Sequence, residues 1–536
     1  MPRLGHGTTI KIEDFREATA EMADRTASVR LAFAAGTPVD PTRLDYLFPD
    51  LADDAASLLP ESSATVQNLA RLGRAMRDPS PGDNRNAPIP AAYTYLGQFI
   101  DHDVTLEAQS ASLTELLNPA MVPLPLDTAR NALFNLRTAT LDLDSVYGFP
   151  APRVGPRMKI GTVSTLPNNQ QIPLTRPPLK GDDNDLPRED PSRDPRFDRA
   201  ALIGDPRNDE NTIVAQLHLA FLKAHNALVD RGMTFADART TLRQHYQHMV
   251  LYDFLPKVAD PAIVTRVTSS GPMFYKSSQE PFFLPLEFAV AAYRFGHTMV
   301  RGAYNFNVNF NFRGAPATPA TLPLLFTFTA LTGQLGFPNQ QSNTLPENWI
   351  IQWEEFFPAN QNVARRLDTH LVEPLFQLTN TIGEVETEGG EDAKRLAVRN
   401  LLRGYLLRMP TGQAVANKLG ITPMTASQIE AAADSAEQAT ILRESGFNTR
   451  TPLWYYVLVE ANALGNGAHL GPVGSTLVVE TMVGLVQRSE DSILRTPGWK
   501  PSLGQSGNAQ AFELPDLLRL AGVLAAPASM AAAAGL

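Results

Sequence analysis

The stretch 98-QFIDHDVTLE-107 sets a histidine between two aspartates, one helical turn after a glutamine. On a helix Gln98 and His102 share a face, while Asp101 and Asp103 point about 100° to either side of the imidazole. A chance triplet on a solvated helix face would look the same. The chemistry such divergence permits is a neutral imidazole acting as a base in a pocket, with its two neighbours turned toward other partners. One such partner is suggested by 138-TATLDLDSVYG-148, where oxygen-bearing side chains fall at Thr138, Thr140, Asp142 and Asp144. A curled loop with that alternation can turn oxygens toward one point, as calcium requires with about six to eight of them. A strand entering a turn shows the same period. Asp103 could complete the shell.

Two further segments carry groups of unlike chemistry. In 204-GDPRNDEN-211, Arg207 and Glu210 are three apart and can reach one bound ligand from a first helical turn. Helix capping explains the acids equally well, the arginine less so. The helix that follows carries His218 and His225, which read as hydrogen-bonded structural residues. In 293-YRFGHTMV-300, His297 sits on a segment apolar nearly all round, where a satisfied core histidine is the ordinary reading. Asn400, in 398-VRNLLRG-404, could orient that imidazole by accepting its second N–H, and Arg403 follows one turn later.

The elements needed to position these groups are helical. Apolar residues recur at helical spacing in 211–230, where Ile213, Leu217, Phe221, Ala224 and Leu228 share a face, and again in 285–300, 391–407 and 475–487. Period-two strands are scarce. The segment 172–199 is dense in proline and charge and reads as a long surface loop, and 525–536 as a low-complexity tail. With 43% hydrophobic residues the 536-residue chain can bury a large core, and no linker divides it. A formal net charge of −10 with no basic stripe argues against nucleic acid or an anionic membrane as partner. The absence of cysteine excludes disulfides and thiolate ligands, so a metal must use histidine or oxygen. The first thirty residues lack an apolar core of signal-peptide length, and no apolar run is long enough to span a bilayer. The expectation is a soluble protein without a Sec-type signal, cytoplasmic or exported by another route.

Taken in order, QFIDHD, TATLDLDSVYG, GDPRNDEN with LHLAFLKAHN, YRFGHT and NLLRG resemble the motifs of the peroxidase–cyclooxygenase superfamily of haem peroxidases, which includes myeloperoxidase and lactoperoxidase. The resemblance covers roughly residues 75 to 520 and implies a mainly α, large single-domain helical fold with little β. It divides the chain into an N-terminal extension over 1–75, a peroxidase domain over 76–524 and the tail. It implies that His102 is the distal histidine, Gln98 its pocket neighbour, Arg207 the distal arginine and His297 the proximal iron ligand. Asn400 would hold the proximal histidine, and Arg294 and Arg403 would lie near the haem propionates. Asp101 and Glu210 match the two carboxylates that form ester links to haem methyl groups, giving a haem b derivative. Asp103, Thr138, Thr140, Asp142 and Asp144 would bind calcium, Thr140 through its carbonyl oxygen.

The implied activity is oxidation of a small donor by hydrogen peroxide through compound I, the donor being a halide, thiocyanate or an aromatic compound. Asn211 stands where myeloperoxidase has the methionine that forms a sulfonium link, so that link cannot form and chloride oxidation is not expected. The missing disulfides, the termini and LGPVG at 470–474 resemble the superfamily's bacterial branch. Two alternatives stand beside this reading. One is a fatty-acid dioxygenase, although the position three before His297 holds Arg294 and Tyr293 is one residue too early. The other is a calcium-binding helical scaffold that has lost haem.

Overall fold

The computed structural model describes residues 16–17, 20–21, 32–33, 42–79, 85–108, 113–131, 133–164, 177, 181–194, 197–313, 317–330, 344–357, 362–378, 390–504 and 511–525. Most of these are helical, and no strand among them exceeds the five residues of Asn86–Pro90. Most of the first forty residues and nearly all of the expected tail lie outside the described set. Where residues 42–48 are described, Leu44, Tyr46 and Phe48 are buried in the core. The buried carboxylate of Glu287 accepts from the backbone N–H of Leu47 (2.8 Å) and Phe48 (3.0 Å), tying that segment to the chain just before His297. No helix among the described residues is long and apolar enough to cross a membrane.

Helix α1 (Ser63–Ala75) starts at Ser62, whose side chain accepts from the Thr65 N–H. Helix α2 (Ala92–Val104) carries the Gln98-to-Asp103 motif, as its sequence predicts. Helix α3 (Thr212–Asp230) is capped by Asn211, whose side chain accepts from the Val214 N–H at 3.0 Å. The five residues expected on its apolar face are fully buried, and so are His218, Leu219 and Ala220. An amphipathic pattern thus belongs to a helix enclosed nearly all round, because α2 and α4 (Phe235–Met249) both pack on it. Phe99 of α2 stacks on Phe221 of α3 at 4.5 Å. Helix α4 runs through a π turn, Val250–Phe254, which places Asp253.

The structure departs from the expected helix over 285–300. Glu287–Ala291 forms a π turn and Ala292–Met299 a 3-10 helix, with Ala291 at the break. Apolar spacing does not distinguish these from an α-helix, since all bury a continuous apolar stripe. Side chains take up backbone groups there: the Trp454 indole donates to the Arg294 carbonyl at 3.2 Å. Helix α5 (Leu396–Leu406), which carries Arg399, Asn400 and Arg403, lies directly against α1. A Cβ on Gly73 would fall 2.7 Å from the Val398 backbone, so only glycine permits this approach.

The described residues of the proline-rich segment 172–199 form no helix or strand, as expected, but part of the segment is not at the surface. Asn184, Asp185, Leu186 and Pro187 are buried, and Arg188, with 3% of its side chain exposed, bridges Asp185 and Asp209 at 2.7 Å each. Composition suggested a solvated loop, but here charges are buried as hydrogen-bonded pairs, which is the form in which burial is tolerated. That bridge anchors the 206–209 turn.

Helices α6 (Leu453–Leu464) and α7 (Pro472–Arg488) complete the core. Gly471 cannot cap α7 with a side chain, and Glu460 of α6 does so instead, accepting from the N–H of Val473 (2.8 Å) and Gly474 (3.2 Å). Burial raises the Glu460 carboxyl to about 8, against the lowering effect of those two hydrogen bonds. A carboxyl raised in the folded state contributes stability that is complete below its unfolded pKa and is lost as pH rises through about 8. We expect Glu460→Gln, which keeps an acceptor for both N–H groups, to flatten the fall in stability between pH 5 and 9 by a few kcal/mol. Urea unfolding across that range checks it, and parallel slopes for the two proteins would count against it.

Candidate functional site

Four segments that are far apart in sequence converge on one cavity of about 270 Å³. Helix α2 contributes Gln98, Asp101 and His102, and the 206–211 turn contributes Arg207, Glu210 and Asn211. The 3-10 helix supplies Arg294 and His297, and α5 supplies Arg399, Asn400 and Arg403, with Glu107 between. Gly296 lines the cavity beside His297, and a Cβ there would meet only open space.

His102 is buried, and its Nδ1 lies 2.8 Å from Oδ1 of Asn208. The Asn208 amide nitrogen in turn faces Nδ1 of His218 at 3.0 Å. With its oxygen committed to His102 and its NH2 to His218, Asn208 fixes one tautomer: the proton of His102 sits on Nδ1 and Nε2 keeps its lone pair. Burial, reinforced by the Arg207 guanidinium, lowers the His102 pKa and keeps the ring neutral. Burial likewise holds His218 neutral, down to about 3. His218 and His225 are both hydrogen-bonded, His225 to the Tyr147 hydroxyl (2.9 Å) and the Pro156 carbonyl (3.0 Å), as expected of structural histidines.

Arg207 is held by Asp205, with Nε at 3.0 Å from Oδ1 and a terminal nitrogen at 2.7 Å from Oδ2. It also donates to the backbone carbonyls of His102 (3.2 Å) and Thr105. Asp205 is fully buried; burial would raise its carboxyl, but Arg137 and Arg207 hold it well below the usual carboxylate range. Gln98 accepts from the Asn211 amide at 3.2 Å, so the residue that caps α3 also orients the glutamine. Asp101 accepts from the Thr105 hydroxyl at 3.0 Å.

At His297 the expected partner is present and its polarity is reversed. Asn400 approaches Nδ1 at 2.9 Å with its amide nitrogen, while its oxygen accepts from Arg294 at 2.7 Å. A guanidinium has only donors, so it claims the amide oxygen and leaves the NH2 end for the ring. Arg294 and Arg399 are both lowered to about 10, by burial first and then by the charge of Arg403. Arg403 pairs with Glu107, yet its Nε is buried without a hydrogen bond. Three guanidinium groups thus stand together on this wall, with Glu107 as the ion-pair partner of Arg403.

The oxygen-rich loop also forms as a unit. Ala139 and Leu143 adopt left-handed backbone (φ +53° and +56°), each costing about 1–3 kcal/mol, and so curl 138–144 against α2. Asp103 accepts from the N–H of Leu143 (3.2 Å) and Ser145 (3.0 Å). Asp144 accepts from the Thr138 hydroxyl (2.5 Å), which meets the Thr140 hydroxyl (2.8 Å), which donates to Asp142 (2.6 Å). Burial, then the charge of Asp144, raises Asp103 to about 7, and burial raises Asp142. Among the described residues no three acids or histidines already converge as a metal shell. Asp142 Oδ1, however, is buried with no hydrogen-bond partner, an acceptor that a cation would satisfy.

Sequence reasoning missed Asn208, Asp205 and Arg399. Asn208 and Asp205 lie inside the polar run 204–211, but nothing in the spacing marks them as partners of His102 and Arg207. Arg399 was legible, since it and Arg403 are four apart on one helix face.

Residues 123–333 match the animal haem peroxidase family. The chain is 26% identical over 312 residues to a peroxidase-like protein of Margaritifera margaritifera, covering 48% of this chain and 38% of that protein. It is 27% identical over 216 residues to a chorion peroxidase of Aedes aegypti, covering 38% and 24% respectively. The chain thus spans well under two thirds of either relative's length. In three dimensions it resembles peroxidase A from Dictyostelium discoideum with a TM-score of 0.51 at 14% identity, over 93% of this chain and 94% of that one. The fold is accordingly the large, mainly helical one of the haem peroxidases.

Proposed function

We propose that the chain is a haem-dependent peroxidase that uses hydrogen peroxide to oxidise a small donor. The observation that carries this reading is that His102 and Arg207, which lie on separate elements from His297, line the same cavity with it. The family match contains Arg207 and His297 but begins after His102 and ends short of Asn400, so the approach of His102 and Asn400 to them does not rest on it.

The residues present fit haem. His297 is the group to hold the iron, and the guanidinium groups of Arg294, Arg399 and Arg403, with the unmet Nε of Arg403, suit two propionates. A carboxylate drawing Arg294 releases the Asn400 oxygen, which can then accept from His297 Nδ1 and leave Nε2 free to ligate. Bound there, haem supplies the two-electron reduction of peroxide. His102 takes the peroxide proton at Nε2 and returns it to the departing oxygen, and Arg207 stabilises the negative charge that develops. Asn208 keeps His102 in the tautomer that can do so.

Asp101 and Glu210 line the cavity and are the carboxylates available for ester links. Asn211, engaged as helix cap and partner of Gln98, offers no sulfur, which favours bromide, iodide, thiocyanate or an aromatic donor over chloride. The cluster of Asp103, Thr138, Thr140, Asp142 and Asp144 is the proposed calcium site. The absence of disulfides agrees with a bacterial-branch member of the superfamily.

Haem loading followed by spectroscopy tests this. We expect a Soret band that changes within the first turnover on adding peroxide, with iodide then oxidised. Acidified acetone should extract haem readily before peroxide and much less readily after it, and Asp101→Ala with Glu210→Ala should restore full extraction. Purified protein that takes up no haem would sink the proposal.

A further inference from the structure

Among the described residues three tyrosines line the cavity, Tyr93, Tyr95 and Tyr293, and they differ in who can take the phenolic proton. The Tyr293 hydroxyl donates to the Gly97 carbonyl at 3.2 Å, an acceptor that cannot be protonated under ordinary conditions. Tyr95 faces the hydroxyl of Tyr304, which itself accepts from the Arg301 N–H at 2.8 Å. The Tyr93 hydroxyl is 3.0 Å from both oxygens of Asp253, within reach for direct proton transfer.

Asp253 is a built partner. It is 2% exposed, sits on the π turn after α4, pairs with Lys257 at 2.5 Å and accepts from the Leu514 N–H at 2.8 Å. The Lys257 ammonium also stands 4.6 Å over the Tyr93 ring. Single π turns within helices frequently occur at functional sites. Packing alone does not call for the hydroxyl, since phenylalanine would fill the same volume.

We propose that Tyr93 is a redox-active tyrosine with Asp253 as its proton acceptor. The proposal rests on the peroxidase reading, which supplies the oxidant. When peroxide has oxidised the haem and no donor is present, Tyr93 gives it one electron. The phenolic O–H breaks, its proton forms a carboxyl O–H on Asp253, and a neutral tyrosyl radical remains. A reducing donor, such as a phenol too large for the cavity, later returns the electron, and Asp253 returns the proton. The Lys257 side chain, paired with Asp253, favours that return. At rest burial, then the charge of Asp253, holds the proton on Tyr93. Nine residues along α2 place Tyr93 about 14 Å from His102, away from the distal base yet in the same cavity.

The test is freeze-quench electron paramagnetic resonance of haem-loaded protein given peroxide without donor, with the Soret band as the control for folding. We expect a tyrosyl signal that is lost in Tyr93→Phe and kept in Tyr95→Phe and Tyr293→Phe. In Asp253→Asn it should form about a hundredfold more slowly, because the proton acceptor is gone. Should Asp253→Asn fail to load haem, Tyr93→Phe decides alone. A signal that survives Tyr93→Phe, or no tyrosyl signal in protein that consumes peroxide, overturns the proposal and leaves the peroxidase reading intact. Haem-loaded protein inert to peroxide overturns both.

Discussion

His297→Ala should abolish stable haem uptake, whereas His102→Ala should bind haem and react with peroxide about 10²–10⁴-fold more slowly, the usual contribution of a positioned base. The asymmetry follows from what each ring touches. His297 is the one imidazole in the cavity whose Nδ1 partner sits within an arginine-rich wall, and removing it takes away the only imidazole that wall presents among the described residues and so the proposed iron ligand. His102 lies on a separate helix, and its Nδ1 is committed to Asn208, so its role is carried by the lone pair on Nε2. Asn208→Ala tests that point separately. It leaves His102 in place but frees the tautomer, and it should lower the rate with peroxide while sparing haem content. Soret absorbance after loading and stopped-flow mixing with peroxide measure the two effects. Equal haem retention by His297→Ala and His102→Ala would remove the assignment of ligand and base.

The parts of this site that sequence made legible are those whose motifs fall in one order along the chain. A histidine between two aspartates, an arginine in a run of acids and a histidine on an apolar segment each have an ordinary reading when taken alone. The fold's helices were legible because apolar spacing persists over three or more turns in α3, α5 and α7, while α2 follows from a stretch with no helix breaker beyond Gly97. What stayed hidden was set by contacts between distant segments. Asn208 matters because α3 brings His218 to its other side, and Asp205 because Arg137 arrives from just before the 138–144 loop at 2.5 Å. The 3-10 geometry around His297 was hidden because a buried stripe does not report the pitch of the backbone that carries it. The buried Arg188 bridge ran against composition altogether, and only pairing with Asp185 and Asp209 makes its burial tolerable.

For the proposed calcium site, the sign of one substitution separates a cation from its absence. Without a cation, Asp103, Asp142 and Asp144 are acids packed close together, the first two with pKa values raised by burial, and Asp142 Oδ1 has no partner. Asp142→Asn would then remove a repelling charge, keep an acceptor for the Thr140 hydroxyl and stabilise the fold. With a cation, the same change removes a ligand and destabilises it. We expect destabilisation in calcium and a neutral or stabilising effect after prolonged chelation. Chelation of the wild type should cost roughly 3 kcal/mol if calcium is present at about a hundred times its dissociation constant. In a chain of 536 residues that moves the melting temperature by only a few degrees, because the unfolding entropy grows with length. The more sensitive readout is therefore the haem spectrum, since Asp103 adjoins His102 on α2 and the loop it holds also carries the left-handed Ala139 and Leu143. Release of the cation should relax that strained loop and disturb the distal side before the fold melts. A stabilising Asp142→Asn in protein kept in excess calcium, together with metal analysis that finds none bound, would mean that the cluster is a hydrogen-bonded turn that Asp103 ties to α2 without a cation.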